Sequence, residues 1–294
     1  MPNNQSVKIA IASGKGGTGK TFVATNLFNV LRKADRQVTL IDCDAEEPNV
    51  LEFISGEKID QLNVTQEIPV IDTEACIYCG KCAEYCHYNA IFFVEDARII
   101  QVMDDLCHGC GACFVACEYD AISPKDDLLG TVSTFQVSEK VRLIESRMKV
   151  GVQSPVAVIK AAIKQANDTE IVLMDSPPGT SCPFIQTVNK ADYVVLITEP
   201  TPFGLSDLKQ SVETLKTMHK PVGVIVNRAG LGDDAVYAYL EEEGIPLLID
   251  IPFDRKIASL YSNGKLLTEE DADWERKFSD LFNLIRSQHG NSHH

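Results

Sequence analysis

The sequence lacks any apolar run of the kind that crosses a membrane. Its apolar stretches, such as Val194–Ile197 and Val222–Val226, have the length of strands, whereas a membrane-spanning helix needs about 20 apolar residues. The first twelve residues also lack a basic segment followed by a long apolar one, which a secretory signal requires. These absences predict a cytoplasmic protein without stable membrane insertion.

Positive charge is scarce. The chain has 27 Lys and Arg residues against 42 Asp and Glu residues, which gives a formal net charge of −15. A protein that binds duplex nucleic acid normally presents a basic face, and an anionic membrane surface attracts clusters of Lys and Arg. The charge balance therefore argues against nucleic acid and against a membrane surface as partners.

Most of the chain alternates short apolar runs with helical patterns. Strands are predicted at Val7–Ala12, Val38–Ile41, Ile171–Met174, Tyr193–Thr198, Val222–Val226 and Leu247–Asp250. Helices are predicted at Lys20–Lys33, Pro155–Ala166, Gly204–Met218 and Asp234–Glu243. This alternation is typical of an α/β fold with a mostly parallel sheet and helices on both faces.

A glycine-rich segment joins the first predicted strand to the first predicted helix. It matches the P-loop pattern and consists of Gly14, Lys15, Gly16, Gly17, Thr18, Gly19, Lys20 and Thr21. Backbone N–H groups of such a loop surround phosphate oxygens, and the helix N-terminus adds the positive end of its dipole. We expect Lys20 to neutralise the β- and γ-phosphates and the Thr21 hydroxyl to bind Mg²⁺.

Lys15 gives this loop the form KGGxGKT, which resembles the deviant Walker A motif of the MinD/ParA class of P-loop ATPases. That class includes the nitrogenase iron protein. The resemblance implies ATP as the nucleotide and an ATP-dependent homodimer in which Lys15 reaches the nucleotide of the partner. The alternative for Lys15 is a solvated loop lysine.

Further segments resemble the same class in the same order. Ile41-Asp42-Cys43-Asp44 is similar to the first switch, which implies that Asp44 orients the attacking water and that Asp42 supports the Mg²⁺ shell. The apolar strand that ends at Asp175 is similar to Walker B, which implies a water-mediated contact of Asp175 with Mg²⁺.

The second switch and the base-binding loops are also matched. Gly179, in Ser176-Pro177-Pro178-Gly179, would contact the γ-phosphate. Asn227 and Arg228 resemble the base-recognition pair of the class, and Pro252 occupies its other adenine-side loop. The resemblance therefore implies a slow ATPase that hydrolyses ATP through positioned water and electrostatic stabilisation.

Eight of the ten cysteines lie between Gly56 and Gly130, in two runs of identical C-x2-C-x2-C-x3-C spacing. Three cysteines at this spacing bind three corners of one [4Fe–4S] cluster, and the fourth reaches the other cluster. The first cluster is therefore predicted to use Cys76, Cys79, Cys82 and Cys117. The second is predicted to use Cys107, Cys110, Cys113 and Cys86. The segment resembles bacterial two-cluster ferredoxins, and zinc knuckles are the alternative.

One feature departs from that resemblance. The proline that usually follows each fourth cysteine is replaced by His87 and Glu118. Since that proline shapes a turn and does not bind iron, we expect changed loops rather than changed ligands. His87 is expected to be a solvated loop residue rather than a substitute ligand.

These motifs divide the chain into predicted domains. Residues 1–62 and 128–290 form the ATPase domain, 63–127 an inserted α+β module for two [4Fe–4S] clusters, and 291–294 a flexible tail. Near the end, one helical face is apolar and contains Trp274, Phe278, Leu281, Phe282 and Ile285. MinD uses a C-terminal amphipathic helix as a membrane anchor, but acidic residues precede this one, so we expect it to pack on the core.

Two cysteines remain. Cys43 is expected to be a small buried apolar side chain. Cys182 follows Asp175 by seven residues, and the nitrogenase iron protein carries a cluster-binding cysteine at the same offset. Two hypotheses follow: paired Cys182 residues of a dimer hold or pass on a metal or cluster, or Cys182 is an inert thiol.

Together these features predict an ATP-hydrolysing switch protein with two [4Fe–4S] clusters. Its nucleotide state would be coupled to electron transfer or to metallocluster assembly on an unidentified redox or metallocluster protein. An iron–sulfur carrier of the Mrp type is the first alternative, although this chain lacks the C-x-x-C motif that those carriers typically bear after the second switch, where only Cys182 could serve. A positioning ATPase of the MinD/ParA type is the second.

Overall fold

The computed structural model describes residues 6–166 and 169–291. These residues fall into two compact units. The major unit comprises the chain up to Leu62, Val132–Arg147, and the chain from Val156 onward. The cysteine-rich unit comprises Asn63–Thr131 and Met148–Pro155.

Eleven strands are found in the described part of the chain. They are β1 (Val7–Ala12), β2 (Val38–Asp42), β3 (Glu57–Ile71), β4 (Ile91–Val94), β5 (Ile99–Val102), β6 (Ile122–Ser138), β7 (Val141–Met148), β8 (Ile171–Asp175), β9 (Tyr193–Thr198), β10 (Val222–Ala229) and β11 (Leu247–Pro252).

The described residues also form ten α-helices. They are α1 (Lys20–Lys33), α2 (Lys81–Glu84), α3 (Ala112–Ala116), α4 (Val156–Lys164), α5 (Cys182–Asn189), α6 (Pro202–Thr217), α7 (Ala235–Glu243), α8 (Arg255–Ser262), α9 (Leu267–Glu270) and α10 (Ala272–Asn291). None of them combines the length and apolar character that crossing a bilayer requires.

Nine strands form one sheet in the order β11-β10-β9-β1-β8-β2-β7-β6-β3. All neighbouring pairs from β11 to β7 are parallel, which confirms the predicted mostly parallel sheet of an α/β fold. β6 and β7 are separated by only two residues, and a link this short joins antiparallel strands. The β3, β6 and β7 strands were not predicted from the sequence.

The register of the parallel strands collects polar residues at one sheet edge. Asp42 at the end of β2 pairs with Asp175 at the end of β8. β1 lies beside β8, and the P-loop follows directly from its end. Because ligands of open α/β sheets bind outside the carboxyl ends of the strands, this edge is the expected place for a site.

The core of the major unit continues into α10. The five apolar residues predicted to share one helical face are all buried there, and Phe278 contacts Phe22 of α1 edge-to-face with ring centroids 6.3 Å apart. This confirms that the C-terminal helix packs on the core. Asn291, the first residue of the predicted flexible tail, is the last residue of α10, and 292–294 lie outside the described residues.

The cysteine-rich unit is built differently. It contains the short helices α2 and α3 and the antiparallel pair β4 and β5. Its buried apolar cluster consists of Cys82, Ile91 and Cys113, with partly buried neighbours around them. Two of these three side chains are therefore cysteines of the predicted clusters.

Candidate functional site

The P-loop is shaped by glycines at its centre. Gly17 has φ 75° and Gly19 has φ 101°, in the region that side chains disfavour. A Cβ atom on Gly19 would also lie 2.5 Å from Nδ2 of Asn227. At Gly16 and Gly17 an added Cβ would meet no atom within 4 Å, so this face of the loop is open to a ligand.

A cavity of about 410 Å³ lies against this open face. Its lining includes the predicted residues Gly16, Gly17, Gly19, Lys20, Thr21, Asp44, Asp175, Asn227, Arg228 and Pro252. Gly14, Lys15, Thr18, Asp42 and Gly179 lie outside the lining. The amide of Gly179 donates to the carbonyl of Ser13 at 3.1 Å, which places the second switch beside the start of the P-loop.

The inner end of the cavity contains oxygen atoms that could bind a cation. The Thr21 hydroxyl donates to Oδ2 of Asp175 at 2.6 Å, while Oδ1 of Asp175 is buried without a hydrogen-bond partner among the described residues. Burial raises the pKa of Asp175 to about 7. A hydroxyl beside an unpaired carboxylate oxygen suits Mg²⁺, which prefers oxygen ligands and keeps several waters.

Lys20 and Asp44 complete this end of the cavity. Lys20 is buried, which lowers its pKa, whereas the nearby charges of Asp175 and Asp44 act in the opposite direction. Burial raises the pKa of the half-buried Asp44, and the neighbouring Lys20 opposes the increase. The side chains predicted for phosphate neutralisation and for water orientation therefore lie within electrostatic range of each other.

Asp42 has a different environment. Its Oδ1 accepts from the amide of Asp44 at 3.1 Å, and its Oδ2 accepts from the amides of Asn49 and Val50 at 2.8 and 3.0 Å. Burial and the neighbouring Asp175 raise its pKa well above the ordinary value. In this structure Asp42 shapes the loop that follows β2, and its role in the Mg²⁺ shell stays a prediction.

Residues from the ends of β9 and β10 hold the outer side of the P-loop. Asn227 donates from Nδ2 to the carbonyl of Thr18 at 2.7 Å. The carboxylate of Glu199 pairs with Nζ of Lys15 at 3.2 Å and with Nη1 of Arg228 at 2.7 Å. Glu199 was missed by the sequence reasoning, although an acid directly after a buried strand was the available signal.

The outer half of the cavity is lined by the β11–α8 segment. Besides Pro252, it contributes Phe253, Asp254 and Tyr261. The Tyr261 ring stacks on Phe53 with centroids 4.8 Å apart. Tyr261 was also missed, because no helix was predicted over Arg255–Ser262 and no motif marked this segment as part of a site.

The structure brings the eight clustered cysteines together in two sets of four. One small cavity is lined by Cys76, Cys79, Cys82 and Cys117, and another by Cys86, Cys107, Cys110 and Cys113. These are the two sets predicted from the spacing rule, with the fourth cysteine of each run exchanged. Within the described residues, no group of three or more His, Cys, Asp or Glu converges on a single metal ion.

Burial and backbone hydrogen bonds act on the thiols of the two sets. Burial raises the pKa of Cys82 to about 11, and it also raises those of Cys107 and Cys113. Backbone amides donate to sulfur at Cys76 and Cys86, from Tyr78 at 3.4 Å and from Ala90 at 3.3 Å. Such N–H···S contacts stabilise negative charge on sulfur and tune iron–sulfur centres.

The residues in place of the usual prolines are both accounted for. His87 is exposed, as expected for a solvated loop residue. Glu118 pairs with Lys81 at 2.6 Å, so an ion pair links the end of the second cysteine run to the middle of the first.

The two remaining cysteines differ in accessibility. Cys43 is completely buried, and burial raises the pKa of its thiol well above the ordinary value. This environment agrees with a small apolar role. Cys182 is exposed at the first residue of α5, so its thiol is accessible from outside the chain.

Comparison with known proteins supplies the family context. Residues 9–267 match the model of the CobQ/CobB/MinD/ParA nucleotide binding domain. An uncharacterized protein of Methanocaldococcus jannaschii, MJ0578, is 31% identical over 284 residues, which cover 95% of this chain and 96% of that protein.

Two further similarities are more distant. An iron-sulfur cluster carrier protein of Pyrococcus horikoshii is 24% identical over 296 residues, covering 93% of this chain and 83% of the carrier. The structure of the septum site-determining protein MinD with Mg-ADP, from the same organism, superposes with a TM-score of 0.56. It is 20% identical and the match covers 94% of each chain, so it shows the shared fold.

Proposed function

This chain belongs to the CobQ/CobB/MinD/ParA family of P-loop ATPases, and we propose that it is an ATP-driven switch that carries two [4Fe–4S] clusters. Its nucleotide state is coupled to electron transfer or to metallocluster assembly on a partner protein. The observation that carries this proposal is the convergence of two four-cysteine sets in a chain that also contains a complete P-loop cavity.

The ATPase part of the proposal assigns one task to each group in the cavity. Lys20 neutralises the β- and γ-phosphates, and Thr21 with Asp175 binds Mg²⁺ in place of their present mutual hydrogen bond. Asp44, which lines the same cavity, orients the attacking water. Gly179 approaches the γ-phosphate, while Asn227, Arg228 and Pro252 bind the base. The protein forms no covalent intermediate in this proposal, since catalysis of phosphoryl transfer depends on positioning and electrostatic stabilisation.

The iron–sulfur part rests on the cysteine-rich unit. We propose residues 63–127 as a module inserted into an ATPase domain of residues 1–62 and 128–290. Cys76, Cys79, Cys82 and Cys117 hold one cluster, and Cys107, Cys110, Cys113 and Cys86 hold the other. Such clusters supply one-electron transfer at potentials set by hydrogen bonds and exposure.

Chain order links the two parts. The inserted module begins about twenty residues after Asp42, whose carboxylate holds the loop to Val50 through three backbone amides. Asp44 lies in that loop and in the nucleotide cavity. A change at the γ-phosphate therefore acts on the segment that leads directly into β3 and the cysteines.

We also propose that the protein forms an ATP-dependent homodimer. Lys15 lies outside the cavity lining of its own chain, which agrees with a role at the nucleotide of a second copy. The protein is proposed to work in the cytoplasm with an unidentified redox or metallocluster protein as its partner.

The main alternative is a carrier of iron–sulfur clusters. It is supported by the relatives named as iron-sulfur cluster carrier proteins and by the exposure of Cys182. In this version the cluster held between paired Cys182 residues is cargo. A positioning ATPase is disfavoured because the apolar face of α10 is buried in the core and is not available to a membrane.

The test is anaerobic purification followed by counts of iron and sulfide and by assay of ATP hydrolysis. The proposal predicts about eight iron atoms per chain, and EPR signals of reduced [4Fe–4S] centres. Lys20→Ala should reduce kcat/KM for ATP by about 100-fold or more while the iron content stays unchanged. One zinc per four cysteines, or hydrolysis that survives in Lys20→Ala, would contradict the proposal.

A further inference from the structure

One buried carboxylate holds two cations of the nucleotide site. The side chain of Glu199 is only 10% exposed, and each of its oxygens is occupied by a different residue. Oε2 pairs with Lys15 at 3.2 Å, and Oε1 pairs with Arg228 at 2.7 Å. None of the roles assigned above includes Glu199.

The two cations are not held equally. The backbone amide of Arg228 donates to Oδ1 of Asn227 at 2.9 Å, and Asn227 in turn donates to Thr18. Arg228 also has φ 56°, an uncommon conformation for a residue with a side chain, which indicates a fixed local structure. Lys15 is a loop residue, and within the described part of the chain its side chain hydrogen-bonds to Glu199 alone. Arg228 is therefore the anchored partner, and Lys15 is the movable one.

We propose that Glu199 is a positioning residue that keeps Lys15 on its own subunit in the nucleotide-free chain, and that Arg228 sets how firmly Lys15 is held. This inference rests on the proposed function, because it assumes that Lys15 reaches the nucleotide of a second copy. The contact acts against dimer formation until Lys15 leaves it.

The physical argument concerns the charge left behind. A carboxylate this little exposed is destabilised when it loses every opposite charge, since desolvation is not compensated. Glu199 therefore releases Lys15 readily only while Arg228 stays in place. Removal of Arg228 leaves Lys15 as the one remaining counter-charge and tightens that contact. Removal of the Glu199 carboxylate charge frees Lys15 whether or not Arg228 is present.

The experiment measures dimer formation of the full, cluster-loaded chain. Sedimentation velocity with saturating Mg-AMPPNP gives the protein concentration at which half the chains are dimeric. Glu199→Gln should lower this concentration about fivefold or more, as a coupling of ordinary size predicts. Arg228→Ala should raise it in the wild-type background but not in the Glu199→Gln background.

Two further variants control for structural effects. Glu170→Gln removes a different partly buried ion pair of the major unit, with Arg36, and should leave dimer formation unchanged. Glu199→Asp keeps the charge and should remain closer to the wild type than Glu199→Gln does. Nucleotide binding is titrated for each variant so that saturation is established.

A second readout does not depend on the folding of a Glu199 variant. Reductive methylation of Lys15, followed by mass spectrometry of the nucleotide-free chain, should be slower in Arg228→Ala than in the wild type. A purely structural role for Arg228 would instead loosen the loop and make Lys15 react faster.

The outcomes distinguish a failure of this inference about Glu199 from a failure of the proposed role of Lys15 in the dimer. If Lys15→Ala weakens the dimer while folded Glu199→Gln leaves it unchanged or weaker, the inference fails and the proposed dimer stands. If the wild type shows no nucleotide-dependent dimer, or Lys15→Ala dimerises like the wild type, the proposed role of Lys15 fails and the inference fails with it. Faster methylation in Arg228→Ala overturns the inference independently.

Discussion

The major unit and the cysteine-rich unit are stabilised by different means. The major unit has a large apolar core that extends from Ile9 in β1 to Ile285 in α10. The buried cluster of the cysteine-rich unit consists of Cys82, Ile91 and Cys113, two of which are proposed iron ligands. We therefore expect the first unit to fold before any ligand binds, and the second to depend on the proposed clusters to complete its core.

The nucleotide cavity and the two cysteine sets also differ in how far they are organised before a ligand binds. The nucleotide cavity is already organised by contacts such as Thr21 with Asp175 and Asn227 with Thr18. In the cysteine sets, burial favours the protonated thiols of Cys82 and Cys113, and iron must displace those protons on binding. We infer that the nucleotide site is organised before ATP binds, whereas the proposed cluster sites are completed only when iron binds.

The largest difference between the two units is expected when the proposed clusters are removed. Anaerobic chelation should abolish protection from hydrogen exchange throughout residues 63–131, because metal binding there is coupled to folding. The amides of β1 and α1 should stay protected, and ATP should still bind. Exchange followed by mass spectrometry would contradict the account if the cysteine-rich unit remained protected without iron.

The converse change acts on the core of the major unit. Phe278 is completely buried, so Phe278→Ala should lower the free energy of unfolding of the major unit by about 3–5 kcal/mol. Phe203, which is 80% exposed, offers a matched control, and Phe203→Ala should change stability by less than about 0.5 kcal/mol. Urea unfolding followed at the single tryptophan, Trp274, measures both. Equal effects of the two variants would contradict the proposed core.

A smaller effect concerns the buried carboxylate of the nucleotide site. Because the pKa of Asp175 is raised to about 7, the folded state binds this proton more tightly than the unfolded state does. The nucleotide-free major unit should therefore lose stability as the pH rises from about 4 to about 7.

Asp175→Asn should make this slope shallower and stabilise the protein at pH 8 by on the order of 2–4 kcal/mol, since one pKa unit is worth about 1.4 kcal/mol. The same variant should lose Mg²⁺-dependent hydrolysis. Urea unfolding at several pH values measures the slope, and an unchanged slope in Asp175→Asn would show that Asp175 is ionised in the folded protein.

The smallest effect is expected at the surface of the cysteine-rich unit. Glu118 and Lys81 are both exposed, and exposed ion pairs contribute little to stability. Glu118→Gln should therefore leave the iron content and the melting temperature unchanged within error. Loss of one cluster in this variant would show that Glu118 has taken over the structural role of the usual proline.

The sequence was sufficient for the parts of the fold that follow local rules. β1 and α1 begin and end at the predicted residues, because a buried strand, a glycine turn and an amphipathic helix are each encoded locally. The cysteine sets also came from spacing alone. By contrast, β3 carries exposed polar residues along most of its 15-residue length, so it lacks the apolar alternation by which strands are predicted.

The contacts of the candidate site were only partly predictable. Asp175, Thr21 and Lys20 lie together as expected, since their positions follow from the P-loop and from the ends of parallel strands. The pairing of Glu199 with Lys15 joins residues 184 positions apart, and only the placement of β9 beside β1 brings them together. No local pattern contains that information.

The most direct test of the account is the midpoint potential of the clusters, measured in anaerobically purified protein with and without Mg-ATP. Coupling between the nucleotide site and the clusters predicts a shift, and a shift of about 60 mV would correspond to a tenfold change in a one-electron equilibrium. The Lys20→Ala variant should show no such shift. Identical potentials in both states of the wild type would contradict the coupling and would favour the carrier alternative, with Cys182 as the residue to test.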